Sequence, residues 1–349
     1  MKLRIKGAAN MNGKLLGGAL LALILFCLLG ACVGTGEGTD DIITIVDGTG
    51  KSANISLPVE RIVSITSRAS EIISVLGSED RIVGRDSYSF FPSSLKDVPV
   101  VAESSYSPNI ELIHKIDPDL VIADSMLSED DRKKIEAAGI PVIVETALDS
   151  TTIEAFVSHL GILLDKEEQA QELINFIKKY QDIIKERTED LKSEDKPAVY
   201  IEIGYPYSTM ASATTFHNLT IAAGGINIAA DQPIKYPIMD PEWIVERDPD
   251  IIFSYATNTA EENLTDKMKE IHDEILSRPE LSDVKAVKEG RVYVLGNPVA
   301  WGIRSIVGEL WLAKWLHPDL FEDIDPETVD RELLDEFFGE DLTEKCVYP

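Results

Sequence analysis

The chain has 349 residues, 44% of them hydrophobic, with 33 basic against 61 acidic residues and a formal net charge of −28. That length allows a leader followed by two domains of ordinary size with real cores, and so acidic a surface repels nucleic acid and anionic headgroups, which excludes a nucleic-acid partner. Cys27, Cys32 and Cys346 are its only cysteines and leave no disulfide framework for the mature domains, so packing must stabilise them.

Residues 1–31 read as a secretory leader. Lys2, Arg4, Lys6 and Lys14 precede an aliphatic and glycine run from Leu15 to Leu29, shorter than the roughly 20 residues of a comfortable membrane span. Without those four cations the remainder holds 29 basic and 61 acidic residues, net −32. Leu29-Gly30-Ala31-Cys32 resembles the lipobox of lipoproteins, with small residues just before a cysteine, whereas Cys27 follows bulky Phe26 inside the apolar run. The resemblance implies cleavage before Cys32 and a lipid on its thiol; an uncleaved membrane anchor is the alternative. Either way the remainder is expected outside the cytoplasm and tethered to the cell membrane. The Gly/Thr/acidic stretch 32–41 reads as the flexible tether.

Beyond it, short β-branched runs alternate with helical spacing. "RIVSIT", "RIVGR", "DLVIA" and "PVIVE" predict strands, and "ASEIISVLG", "NIELIHKI" and "EDDRKKIEAAG" predict helices between them. That alternation is an α/β signature with parallel strands and helices on both faces. From Thr151 to Lys192 strand signal vanishes and two helices are predicted, the second near Lys166 to Lys192 and about 40 Å long at 1.5 Å per residue. Alternation resumes with "AVYIEI", a helix over 216–223, "DIIFSY", further helices, "RVYVLG" and a helix over 304–316. The expected organisation is an N-terminal lobe over 42–150, a helical connection over 151–194, and a C-terminal lobe with terminal helices over 195–349.

"NIELIHKIDPDLVIADS" and "DPEWIVERDPDIIFSYA" share a layout at an offset of 131 residues. Each is a short helix, then Asp-Pro-Asp, then an apolar strand, with proline forcing the helix to end. Asp117 matches Asp248, Pro118 matches Pro249 and Glu111 matches Glu242. Two related lobes follow.

With lobes, long helix and repeat in place, the chain resembles the substrate-binding proteins of ABC importers for iron–siderophores, haem and cobalamin. The resemblance runs from about Ile42 to Gly339 and is carried by "RIVSITSRASEIISVLGSEDRIVGR", "YSPNIELIHKIDPDLVIA", "AGIPVIV", "AAGGINIAAD", "VKEGRVYVLG" and "VGELWLAKWLHPDLF". It implies two α/β lobes with mostly parallel sheets joined by one long rigid helix, a ligand cleft between them and little closure. It also implies a monomer without catalytic cofactor, serving a permease with its cytoplasmic ATPase. Glu111 and Glu242 would be the glutamates that crown each lobe and meet arginines of the permease; a carboxylate in the first turn also suits the helix dipole.

In open α/β sheets ligands sit beyond the carboxyl ends of strands. The candidate ligand contacts are therefore Arg68, Arg85, Tyr88 and Tyr106 in the first lobe, and Tyr205, Tyr207, Tyr236, Trp301 and Arg304 in the second. Arg68 either meets ligand or pairs with one of the many carboxylates, and Trp301 either meets ligand or packs on its own lobe. Trp311 and Trp315 lie four apart on a helix and read as core. Aromatic walls with guanidinium groups suit a bulky ligand carrying negative charge. An anionic metal chelate, ferric siderophore-like or haem, is thus expected, with a corrinoid as the alternative. The five histidines show no ligand spacing for a bare metal. A surface α/β hydrolase is the rival class, but no Gly-x-Ser-x-Gly elbow or P-loop supports it. "AAGGIN" follows a helix and reads as its C-cap. Sequons begin at Asn54, Asn218 and Asn263.

Overall fold

Neighbouring residues of the strand Leu120–Asp124 belong to different cores: Leu120 and Ile122 pack on one face of their sheet, Val121 and Ala123 on the other. A strand covered on both faces needs an unbroken apolar run, which is what the sequence supplies there. The computed structural model describes residues 41–146, 150, 152–258, 262–339 and 345–349.

The chain opens with a hairpin, β1 (Asp41–Val46) against β2 (Ser52–Leu57). Sequence reading placed no strand here, although "DIITIV" is β-branched at five of its six positions and runs into Asp47-Gly48, a turn signal. Asp47 ties the hairpin to the first lobe: one carboxylate oxygen accepts from the backbone N–H of Thr49 (2.9 Å) and Lys51 (3.0 Å), the other from Arg132 (2.7 Å).

The first lobe contains β3 (Ile62–Ser64), β4 (Ile82–Asp86), β5 (Val100–Ala102), β6 (Leu120–Asp124) and β7 (Val142–Glu145), all parallel in the order β5-β4-β3-β6-β7. The second contains β8 (Ala198–Glu202), β9 (Ile226–Asn227), β10 (Ile251–Ala256), β11 (Val292–Gly296) and β12 (Val347–Tyr348). Their order is β12-β11-β10-β8-β9, parallel except for β12 on β11. The expected two-lobed α/β architecture with mostly parallel sheets is the one observed.

Two helices join the lobes, Glu154–Leu164 and Glu167–Thr188. A Cβ on Gly161 would lie 2.7 Å from that of Ala170, so glycine is what lets the two helices approach. The long helix has 22 residues, about 33 Å, and ends before the expected Lys192. Thr188 bonds back to the Ile184 carbonyl (2.9 Å), and a 3-10 turn over Ser193–Asp195 leads into β8. Leu173, Ile177 and Ile184 share one apolar cluster with Ile62 and Ile122 of the first sheet and with Ile201, Phe253 and Leu295 of the second. The joint is a packed core, not a pair of strands.

Both repeat units fold as read. Ile110–Ile116 is capped by the Asn109 side chain, which accepts from Leu112 N, and Pro241–Arg247 by Asp240, which accepts from Glu242 N. Asp117 and Asp248 end them in the left-handed region at φ 53° and 40°. "AAGGIN" is a helix end: Gly224, at φ 84°, and Gly225 donate to the carbonyls of Ile221 and Thr220.

Candidate ligand-binding cleft

Parallel strands of both lobes point their carboxyl ends at a shared cavity of about 120 Å³. From the first lobe come Thr66, Ser67 and Arg68 after β3, Asp86 and Tyr88 from β4 onward, and Asp124 and Met126 from β6 onward. Thr257, after β10, and Asn297, after β11, close it from the second lobe.

Among the described residues that line it, Arg68 is the only basic one. Its Nε donates to Glu145 (2.7 Å) and its Nη2 to Asp124 (2.9 Å). Burial works against its charge, but the two carboxylates outweigh that and hold its pKa above the usual arginine value. Asp124 is itself fixed, since its other oxygen accepts from Met126 N (2.9 Å). Asp86, 3% exposed, accepts from the backbone (2.9 Å) and hydroxyl (2.5 Å) of Ser89. Burial pushes its carboxyl up to about 6, against the pull of those bonds. Glu71, one turn along the same helix as Arg68, is pushed up to about 7 by burial, with Arg304 and Arg68 opposing.

A second cavity, of about 460 Å³, lies on the other lobe and shares Thr257 with the first. Tyr205 lines it from a tight turn that Gly204 permits at φ 68°. Tyr255 lines it from β10, with Glu202 and Arg278 also in its wall. Arg278 donates to both oxygens of Glu202 (2.7 and 2.6 Å) and to Glu274 (3.0 Å).

A family profile described as periplasmic binding protein matches residues 62–299. The chain belongs to the periplasmic binding protein family. The uncharacterized ABC transporter substrate-binding lipoprotein YvrC of Bacillus subtilis is 28% identical over 80% of this chain and 87% of its own length. A cobalamin-binding protein of Halobacterium salinarum is 28% identical over 60% of this chain, which spans 58% of that relative. Among solved structures, molybdate-bound MolA of Haemophilus influenzae superposes with a TM-score of 0.75 at 19% identity, covering 87% of this chain and 100% of MolA. That last likeness shows the two-lobed periplasmic binding protein fold alone.

Within this family fold, the candidate contacts separate into two groups. Tyr88 and Arg68 line the interlobe cavity and Tyr205 the adjoining one. Tyr106 is 77% exposed, two residues from cavity-lining Ser104, and Tyr236 is 57% exposed, within electrostatic reach of Tyr255. Trp301, half-buried, packs on its own lobe, with its ring 5.0 Å from Phe216 and edge-on to Tyr255 at 5.5 Å.

Three candidates turn away from the cleft, and each has a physical reason. Arg85 is buried with its guanidinium on the carbonyls of Leu95, Asp86 and Lys96, 2.8–3.1 Å away, because backbone turning after β4 leaves those acceptors inside. Arg304 is 1% exposed and bidentate on Asp330 (2.9 and 2.7 Å), with Cys346 Sγ at 3.4 Å. Tyr207 lies against the Arg278 guanidinium at 4.7 Å and donates its hydroxyl to Glu280. Three arginines therefore do not converge into a positive well. Sequence reading missed Asp86, Asp124 and Glu145, although a polar residue closing an apolar strand, as in "LVIAD" and "PVIVE", was the available signal. Among the described residues no His, Cys, Asp and Glu cluster could hold a metal ion, and no helix is long and apolar enough to cross a membrane. Glu111 and Glu242 are exposed; Cys32 lies outside the described residues.

Proposed function

We propose that this chain, the substrate-binding component of an ABC importer, captures a bulky metal chelate at the junction of its lobes, and that a corrinoid fits the site better than an anionic iron chelate or haem. The observation that carries this is the state of Arg68, whose charge is already balanced by Asp124 and Glu145. Asp86 adds a further carboxyl to the cavity. A ligand bearing carboxylates would meet that acidic wall with no uncommitted guanidinium to offset it. A corrinoid is bulky, rich in neutral amides and poor in negative charge, so it asks for hydrogen bonds and aromatic surface instead. Tyr88, Tyr106, Tyr205 and Tyr236 supply that surface, and Asp86 and Asp124 accept from amide N–H groups. The cobalamin-binding relative from Halobacterium salinarum supports the same choice.

In this reading the protein binds without turnover and acts as a monomer. It is held at the outer face of the cell membrane by lipid on Cys32, and its exposed Glu111 and Glu242 meet the permease. Mass spectrometry of protein extracted from membranes of the expressing host, grown with cobalamin and ferric citrate together, tests ligand and anchor at once. Expected are a co-purified corrinoid and an N-terminal peptide beginning at lipidated Cys32. A co-purified ferric chelate, or a lipid on Cys27, overturns the corresponding half.

A further inference from the structure

Arg68 sits where a ligand anion would want it, yet it is held by two carboxylates at once. The three side chains come from separate elements: Arg68 from the helix Ser67–Val75, Asp124 from the end of β6 and Glu145 from the end of β7. Their side chains are 16%, 6% and 0% exposed. Simple anchoring of a helix end would need one of these carboxylates. Two convert a cation at the mouth of the cavity into a group with net negative surroundings, while Asp86 in the same wall adds to the imbalance.

We infer that Asp124 and Glu145 are specificity-determining residues: by holding Arg68 they withhold the interlobe cavity's cation from the ligand and keep the cleft selective against anionic chelates. The inference rests on the corrinoid reading above and deepens it. Arg68 is a latent anion site. With its Nε and Nη2 committed, what it can still offer is a hydrogen bond to a neutral acceptor such as an amide carbonyl, not an uncompensated charge. Removing the negative charges while keeping their shape would return a full positive charge to a poorly solvated wall, where it interacts strongly with an incoming anion.

The test uses the full chain with Asp124→Asn and Glu145→Gln, separately and together, and with Arg68→Met added to the pair. Cyanocobalamin, which is neutral, and ferric citrate, which is anionic, are the probes in calorimetric titrations, with melting curves confirming that each variant is folded. Expected is a wild type that prefers cyanocobalamin, and a paired variant whose preference moves at least about tenfold toward ferric citrate, as a regained charge-assisted hydrogen bond implies. Arg68→Met should abolish that movement. Asp124→Asn alone leaves Arg68 anchored on Glu145, so it keeps the test open where the paired variant fails to fold, with a smaller shift in the same direction. A folded variant whose preference is unmoved overturns the inference and leaves the ligand reading standing. A shift that survives Arg68→Met also overturns it. A wild type that prefers ferric citrate, or takes neither probe, overturns the ligand reading and this inference with it.

Discussion

In the first lobe a seven-residue helix runs from Ile110 to Ile116, stops at left-handed Asp117, and hands over to β6; in the second, Pro241–Arg247 stops at left-handed Asp248 and hands over to β10. Each helix buries one isoleucine, Ile113 or Ile244. Each Asp-Pro-Asp ends on a carboxylate that fastens the start of the neighbouring strand: Asp119 accepts from Arg61 N at 2.8 Å and Asp250 from Ala198 N at 2.8 Å. The frames agree until the strands reach the ligand cavities. There Asp124, on Arg68, stands at the position that Tyr255 occupies in the other lobe, where it packs on Phe216 and Trp301. The same scaffold thus presents a charge on one side and an aromatic surface on the other. Positions that hold the backbone tolerate little variation in chemistry, whereas the strand end is free to differ because it faces only ligand or neighbouring side chains.

The largest expected effect tests whether the lobes are equivalent at their crowns. Glu111 and Glu242 occupy matching first-turn positions and are both exposed. Uptake of labelled ligand by intact cells should fall with either Glu→Ala change and be abolished by both, while affinity of the purified protein stays as it was. Loss of uptake from one change alone, with the other silent, would break the equivalence; loss of ligand binding would move both residues into the cleft.

Next in size is Arg304, whose place in the second lobe separates a framework arginine from the cleft-lining Arg68 of the first. It is nearly fully buried on Asp330, and removing one partner of such a pair costs about 3–5 kcal/mol. Because Asp330 keeps some exposure, Arg304→Ala should fall near the lower end, about 3 kcal/mol in chemical denaturation. Affinity in the surviving folded protein should be unchanged, and a weakening of tenfold or more would return Arg304 to the ligand site.

Asp86 gives the first lobe a pH dependence that the aromatic face of the second lacks. Its carboxyl is raised by burial to about 6, so folding favours its protonated form. The stability it contributes is fully present below the unfolded pKa, near 4, and is lost as pH rises through about 6. Asp86→Asn keeps an acceptor for Ser89 and does not ionise, so it should become more stable than wild type between pH 5 and 7, by about 2 kcal/mol. Urea melts across that range measure the difference; a constant offset would show that Asp86 titrates normally.

Much of this was legible in the chain. The strands of both lobes carry unbroken β-branched runs because they are covered on two faces, and the Asp-Pro-Asp units announce their helix ends. The hairpin before β3 was legible and missed, since "DIITIV" is β-branched at five of six positions; the two-residue strand β12 was not, because it owes its existence to pairing with β11. At the site, exposed tyrosines after strands could be found by position alone. The fate of each arginine could not, because a guanidinium reaches far enough to find carbonyls or carboxylates that only the tertiary fold brings near. Arg68, Arg85 and Arg304 looked alike in sequence and ended on two carboxylates, three carbonyls and one carboxylate respectively.

The smallest expected effect separates the two left-handed aspartates. Both hold φ values that glycine adopts without strain, so replacement by glycine relieves a similar cost of up to about 1 kcal/mol, against added entropy in the unfolded chain. Their side chains differ. Asp248 accepts from Lys285 N at 2.7 Å and so fixes the start of the helix Lys285–Lys288. Asp117 serves through its backbone carbonyl, which accepts from Arg61 Nε at 3.2 Å and survives the change to glycine. Asp117→Gly should therefore leave the melting temperature unchanged or raise it slightly, whereas Asp248→Gly should lower it, with the two differing by about 1 kcal/mol, the worth of one net hydrogen bond. Equal shifts in the two variants would mean that the second repeat gains nothing from its extra bond, and that the equivalence of the two units extends to their caps.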